Sequence, residues 1–352
     1  MAPVRKADLR LARVALACAA FAAALAGCGG GLGDADQLFV VTADGKHRRQ
    51  LTHGGAHLGP SWSPGGRRLA FSEQRCGLVS LEVADGDGEH RSTILRRRTC
   101  IGGVGVAWSP RGSAVAFLTR FEDRRFTVTI DVVAPDGSHD RRLATFNSSI
   151  VAPAGPVWAP DGAALAYSGK SAGGSFDVIV VGRQGRARRL TSGPDDEFDP
   201  RWSPSGDRIL FVRKVGQGVF VLLATPVRGG RAVRLPGRWV RVQADWSPDG
   251  RFAALAAVPA ERDGRYRLYV VDLATSSLRV LTRAPADVRP TWSPNGRRIA
   301  FATQDGRVAT VARTGGSIQT LADLGDAEIG DLSWSPDGSR IVFAARKSPP
   351  ED

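Results

Sequence analysis

The chain is poor in the residues that most often carry chemistry. Of its 352 residues, five are histidine and four are cysteine. It holds no Gly-x-Ser-x-Gly elbow, no Walker loop and no Cys-His-Asp set. That scarcity argues against a serine hydrolase, a phosphate-cradling NTPase and a thiol enzyme, although a site built of carboxylates alone would leave no such mark. Long apolar runs are also lacking. The run from Val14 to Leu25 is twelve residues, too short to cross a ~30 Å bilayer core, which takes about 20. With 42% hydrophobic and 24% charged residues, the remainder has an ordinary globular balance, which excludes wholesale disorder.

Acids are outnumbered, 35 against 48 Lys and Arg, for a formal charge of +13. In a cytosolic protein this would point to nucleic acid, but the N-terminus points outward. Arg5, Lys6, Arg10 and Arg13 precede the apolar run, and small residues follow it, the layout of a secretory signal. The run ends in Leu25-Ala26-Gly27-Cys28, which resembles the lipobox of bacterial lipoproteins. The resemblance implies that residues 1–27 are removed and that Cys28 is lipidated, anchoring the chain in a membrane. Residues 28–37 then read as a flexible, Gly-rich tether to a domain over 38–352. Losing four bases and one acid with the signal leaves +10.

What the chain has in abundance is a repeat. "SWSPDGSRIVF" (Ser333 to Phe343) has near-copies around Trp62, Trp108, Trp158, Trp202, Trp246 and Trp292, spaced 42 to 50 residues apart. A period in the forties is one four-stranded propeller blade. Ser-Pro-Asp-Gly suits a type I turn with the glycine left-handed, and the apolar residues after it form a buried strand. Between copies lie hairpins such as "LFVVTADGKHRRQLT" (Leu38 to Thr52). Each motif supplies strands A and B, and each hairpin supplies C and D. Trp239 falls outside the register and is assigned to local packing. Because the chain starts with a hairpin and ends with a motif, the two should share one blade and close the ring. The expected fold is all-β, a seven-bladed β-propeller of four-stranded blades.

The strand pair "WSPDGxxIAF", followed by a hairpin ending in "RRLT", is similar to the TolB-like, WD-repeat-like β-propeller family over residues 38 to 345. The resemblance implies fold more than function, because the family includes scaffolds, binding proteins and propeller halves of peptidases. The α/β-hydrolase domain of the peptidases has no counterpart in "AARKSPPED" after the last repeat.

The architecture sorts the remaining residues onto two faces. A–B and C–D turns share the bottom, rich in arginine (Arg67, Arg68, Arg251, Arg297, Arg298, Arg340), and more arginines open the D strands (Arg48, Arg49, Arg141, Arg142, Arg188, Arg189). Charge there blocks edge-to-edge aggregation or touches anionic lipid or wall polymer. On the top face, "TSGPDDEFDP" offers Asp195, Asp196, Glu197 and Asp199 as contacts for a basic partner or a cation, and "LTHGGAHLGP" offers His53 and His57. His47, His90 and His139 fall at C–D turns on the opposite face, so no third histidine converges and a His-rich metal site is not expected. Phe121 and Phe198 are the aromatic residues that stand out in top loops. Cys76 and Cys100, in B–C and D–A loops of the first complete blade, are expected to form a disulfide.

These readings lead to a monomeric, exported, lipid-anchored and non-enzymatic scaffold for another envelope protein, without cofactor, metal or nucleic acid. The alternative is a propeller that binds a glycan or small ligand, or a carbohydrate-active enzyme, using the top-face channel.

Overall fold

A computed structural model describes residues 36–75, 77–98, 105–120, 127–147, 155–170, 174–261, 265–282 and 286–346. The tryptophan motif folds as an inner strand ending at the tryptophan, a tight turn and a second strand. The glycine N–H closes the turn on the serine carbonyl, Gly66 to Ser63 and Gly338 to Ser335, both at 2.8 Å. The serine hydroxyl accepts the backbone N–H five residues on, Ser63 from Arg68 and Ser335 from Arg340. Gly66 and Gly338 have φ of +68° and +70°, a left-handed conformation costly to any residue with a Cβ.

Among the described residues, 28 strands form seven antiparallel blades, with strands A to D running from the centre outward. Blades two to seven span residues 56–98, 106–147, 157–189, 197–234, 239–282 and 286–323. Blade one is assembled from both ends of the chain: strand A is Glu328–Trp334, B is Arg340–Arg346, C is Gln37–Thr42 and D is Arg48–Gln50. Gln37 pairs with Ala345 and Thr42 with Arg340, a ladder of six residue pairs, so the ring closes as the order of motifs implies. Blades five and six are also linked at Phe220 and Trp239, and buried Trp239 packs 5.1 Å from the Tyr269 ring.

The propeller has no single core. Seven apolar clusters fill the gaps between neighbouring blades. The gap between blades one and two, for example, holds Leu38, Trp62, Leu69, Phe71 and Val342. Phe71, Phe117, Phe211, Phe301 and Phe343 repeat on strand B, each at most 2% exposed. Burying one such ring stabilises by about 1.5–3 kcal/mol, so this layer is a main cohesive term.

Three directional ties add register to that cohesion. First, the indole N–H of Trp62, Trp158, Trp202, Trp246, Trp292 and Trp334 donates to the carbonyl of the residue just before the preceding blade's tryptophan. Those acceptors are Ser333, Ala107, Val157, Arg201, Asp245 and Thr291, at 3.0–3.2 Å. Trp108 is the exception: its Nε1 is buried without a partner. Second, each motif glycine faces the proline of the preceding blade's motif. A Cβ on Gly66 would lie 3.5 Å from Pro336, and one on Gly112 3.6 Å from Pro64. Third, outer strands strap onto the next blade's C–D turn through Arg49 to Glu89, Arg97 to Asp140, Arg188 to the Val227 carbonyl and Arg279 to the Arg313 carbonyl. Much of the arginine on the rim is thus engaged within the fold.

Candidate functional site

Most C strands are apolar where they face the neighbouring blade. Blades two, three and four break that rule, with Glu82, Asp131 and Asp177 buried on strand C. Glu82 lies on strand C of blade two (Leu78–Asp85), opposite Phe71 on strand B (Arg68–Arg75) and opposite Thr93 on strand D (Ser92–Arg98). One step higher, the register aligns His57, Glu73, Ser80 and Arg96 across all four strands. Phe71 and Leu69 place this face against blade one.

Glu73 is 8% exposed and Glu82 3%. A buried carboxylate needs a compensating charge, and Arg91 supplies it to both. Its guanidinium donates to Glu73, to Glu82 at 3.3 Å and to Nε2 of His57 at 3.3 Å, while lying 5.2 Å over the Phe71 ring. Arg75 donates to Glu73 at 2.6 Å, and the Thr93 hydroxyl to Glu82 at 2.9 Å. Beside this network opens a cleft of about 510 Å³ lined by Glu73, Ser80, Glu82, Arg91, Thr93 and Arg96. Arg96 is exposed at its wall and has no acidic partner among the described residues.

His57 is fully buried. Burial first, and then the Arg91 charge, hold its imidazole down at about 4. It is therefore neutral near pH 7. Because Arg91 donates to Nε2, the proton sits on Nδ1, which has no partner among the described residues. The next gap holds a second charged inclusion: Asp131, 1% exposed, lies 3.0 Å from Arg142 and 3.6 Å from Arg97.

The residues expected at the top face are not one constellation. His57 belongs to strand A of blade two (Ala56–Trp62), not to a loop, while His53 is exposed with Nδ1 3.2 Å from Gln50. Glu197 and Asp199 likewise lie on a strand, Glu197–Trp202. Glu197 is buried and takes 2.8 Å and shorter bonds from Arg213, its direct cross-strand partner. Burial still pushes its carboxyl above the usual range, opposed by Thr191 and Arg213. Asp199, in a left-handed conformation at φ +53°, is 2.7 Å from Arg201. Asp196 accepts the Phe176 N–H at 3.0 Å, tying blade five to blade four, and Asp195 is half-buried. Phe198 packs 5.4 Å from Phe176. Cys28, Cys76, Cys100 and Phe121 lie outside the described residues. Among the described residues, no group of three or more His, Cys, Asp or Glu side chains is placed to hold a metal ion.

Glu73, Glu82, Arg91 and Asp131 were not anticipated. A signal for two of them exists: "SLEVAD" and "TIDVVA" carry an acid where "VIVVG" and "LYVVD" are apolar.

Closed ring, four-stranded blades and tryptophan ties define a seven-bladed β-propeller of the repeating-motif type. The TolB beta propeller domain model matches residues 78–336, and the chain belongs to that family. The Tol-Pal system protein TolB of Bordetella pertussis is 33% identical over 260 residues, covering 73% of this chain. The chain spans 57% of that relative's length. Among solved structures, a putative TolB from Agrobacterium tumefaciens superposes with TM-score 0.55 at 20% identity, covering 91% of this chain and all of that one. An oligogalacturonate lyase in complex with manganese gives TM-score 0.64 at 12% identity, covering 83% and 90%. At such identities the likeness is one of fold.

Proposed function

We propose that this chain is an exported, lipid-anchored propeller that works without catalysis, presenting the charged cleft on blade two to another envelope protein. The observation that carries this reading is the state of the cleft's charges. Glu73 and Glu82 are already satisfied by Arg75, Arg91 and Thr93. A carboxylate so engaged is poorly placed as a base or nucleophile, but it is held in one geometry, and pre-organised polar groups of this kind favour recognition. The relative named for the Tol-Pal system supports an envelope setting. Cys28 supplies the anchor in this reading, since lipobox processing gives two or more chains and two suffice for stable attachment.

A photo-crosslinking residue at Ser80, inside the cleft, tests the docking surface in intact cells. A discrete protein adduct is expected there and not from the same residue at Arg67. Adducts to glycan alone, or none at all, would sink the proposal. Cys28→Ala should move the chain from membrane to soluble fraction.

A further inference from the structure

The outer edge of blade five differs from the rest of the rim. Between Asp207 and Asp245 the chain runs 37 residues without an acid and with eight Arg or Lys. Arg213 is bound to Glu197, and Arg208 lies 4.0 Å from Asp207. Arg228, Arg231, Arg234 and Arg238 are exposed, and none has an acidic partner among the described residues. Elsewhere several rim arginines are answered, as Glu89 answers Arg49, Asp140 answers Arg97 and backbone carbonyls answer Arg188 and Arg279.

Strand D of this blade is cut to Val233–Arg234, both exposed. Val233 is 56% exposed, the most of any large apolar side chain among the described residues, and Val240, at the start of blade six beside this edge, is 39% exposed. At the bottom of the edge a cleft of about 520 Å³ is lined by Asp207, Arg208, Pro226, Val227 and Arg228. Uncompensated arginine beside exposed aliphatic side chains is the composition of a protein interface, where arginine is enriched and apolar contacts form the centre.

We infer that the outer edge of blade five docks an acidic, extended segment of a partner protein. The open edge of strand D offers main-chain donors and acceptors to an added strand, and Arg231 and Arg234 offer charges to its carboxylates. The choice of protein over lipid rests on the anchor proposed at Cys28. Strand C of blade one begins at Gln37, and residues 28–36 extend at most ~30 Å. Blade five lies three blades away round the ring by the shorter path, so its edge points away from the anchored side.

The test uses the full chain and a fluorescein-labelled peptide of alternating Glu and Val, about twelve residues long, followed by anisotropy. Binding should fall as salt rises. Arg231→Glu with Arg234→Glu should weaken it roughly tenfold or more. Arg67→Glu with Arg297→Glu, exposed on other blades, changes the net charge equally and should leave it unaltered. Equal loss in both pairs, or no binding by the parent chain, would overturn the inference. So would cosedimentation with phosphatidylglycerol vesicles that Arg231→Glu and Arg234→Glu abolish while the peptide fails to bind, since the edge would then face lipid. The Ser80 crosslink reads the cleft independently, so either surface can fail without the other.

Discussion

At the scale of single residues, the tryptophans differ in a way that burial does not reveal. Trp246 and Trp108 are 7% and 6% exposed, yet only Trp246 donates its indole proton, to the Arg201 carbonyl at 3.0 Å. Replacing Trp246 with Phe strands that carbonyl, whereas Trp108→Phe removes a buried donor that has no acceptor. Trp246→Phe should therefore cost about 1 kcal/mol more in denaturant unfolding than Trp108→Phe. Equal losses would mean that the indole bond is not the tie between blades. His57 gives a pH signature. Its folded value near 4 lies below the 6.5 of a free imidazole, so the unfolded chain binds the extra proton between those limits. Stability is complete above about pH 6.5 and falls as pH drops toward 4, by about 3 kcal/mol from this group. Burial sets most of that shift, the Arg91 and Arg75 charges add to it, and Glu73 opposes it. His57→Gln should flatten the slope of unfolding free energy in that window, and an unchanged slope would remove His57 as its source. In the sequence His57 reads as a loop residue. Its pairing with Glu73 across strands A and B makes it a strand residue, and no local pattern announces that pairing.

At the scale of the element, strands B, C and D are legible from alternation and turn chemistry, whereas the A strands Ala56–Trp62 and Glu197–Trp202 extend well before the tryptophan motif that marks them. In the sequence Glu197 and Asp199 read as top-loop acids, because only the tryptophan end of their strand carries the motif. Register with strand B places Glu197 opposite Arg213, and burial follows. The same logic bears on the two cysteines. Arg75 pairs with Leu78, and Leu78 pairs with Arg98. The segments leading to Cys76 and Cys100 therefore leave the sheet at the same end, from strands B and D, about 10 Å apart with strand C between them. A disulfide, whose Cα atoms must come within about 7 Å, needs the two segments to lean together; it would stabilise by roughly 3–4 kcal/mol in the chain-entropy account. Mass spectrometry of a non-reduced digest should find linked peptides, and two alkylatable thiols in the native chain would rule the bond out.

At the scale of the whole molecule, closure was the most legible feature, because the order of hairpins and motifs is itself a statement about topology. The charged inclusions were the least legible, because Glu73 and Arg91 lie on different strands and meet only once the blade is folded. Closure rests on the six-pair ladder between Gln37–Thr42 and Arg340–Arg346, and on the bond from Trp62 to the Ser333 carbonyl. Deleting residues 37–52 removes strands C and D of blade one and uncovers Val342 and Ala344, which are at most 2% exposed. Aggregation and loss of cooperative unfolding are expected, read by light scattering and calorimetry. A soluble truncated chain with the parent's melting behaviour would refute closure.

The ladder in blade one also sets a clock. A ribosome produces strand C long before its partner Arg340–Arg346. At about 5–20 residues per second, the early hairpin waits on the order of 15 to 60 seconds for the strand it must meet. A chain that stops short never receives that strand and keeps a bare edge that proteases can grip. The first hairpin thereby reports, to whatever surveys unfinished chains, whether translation reached the closing strand.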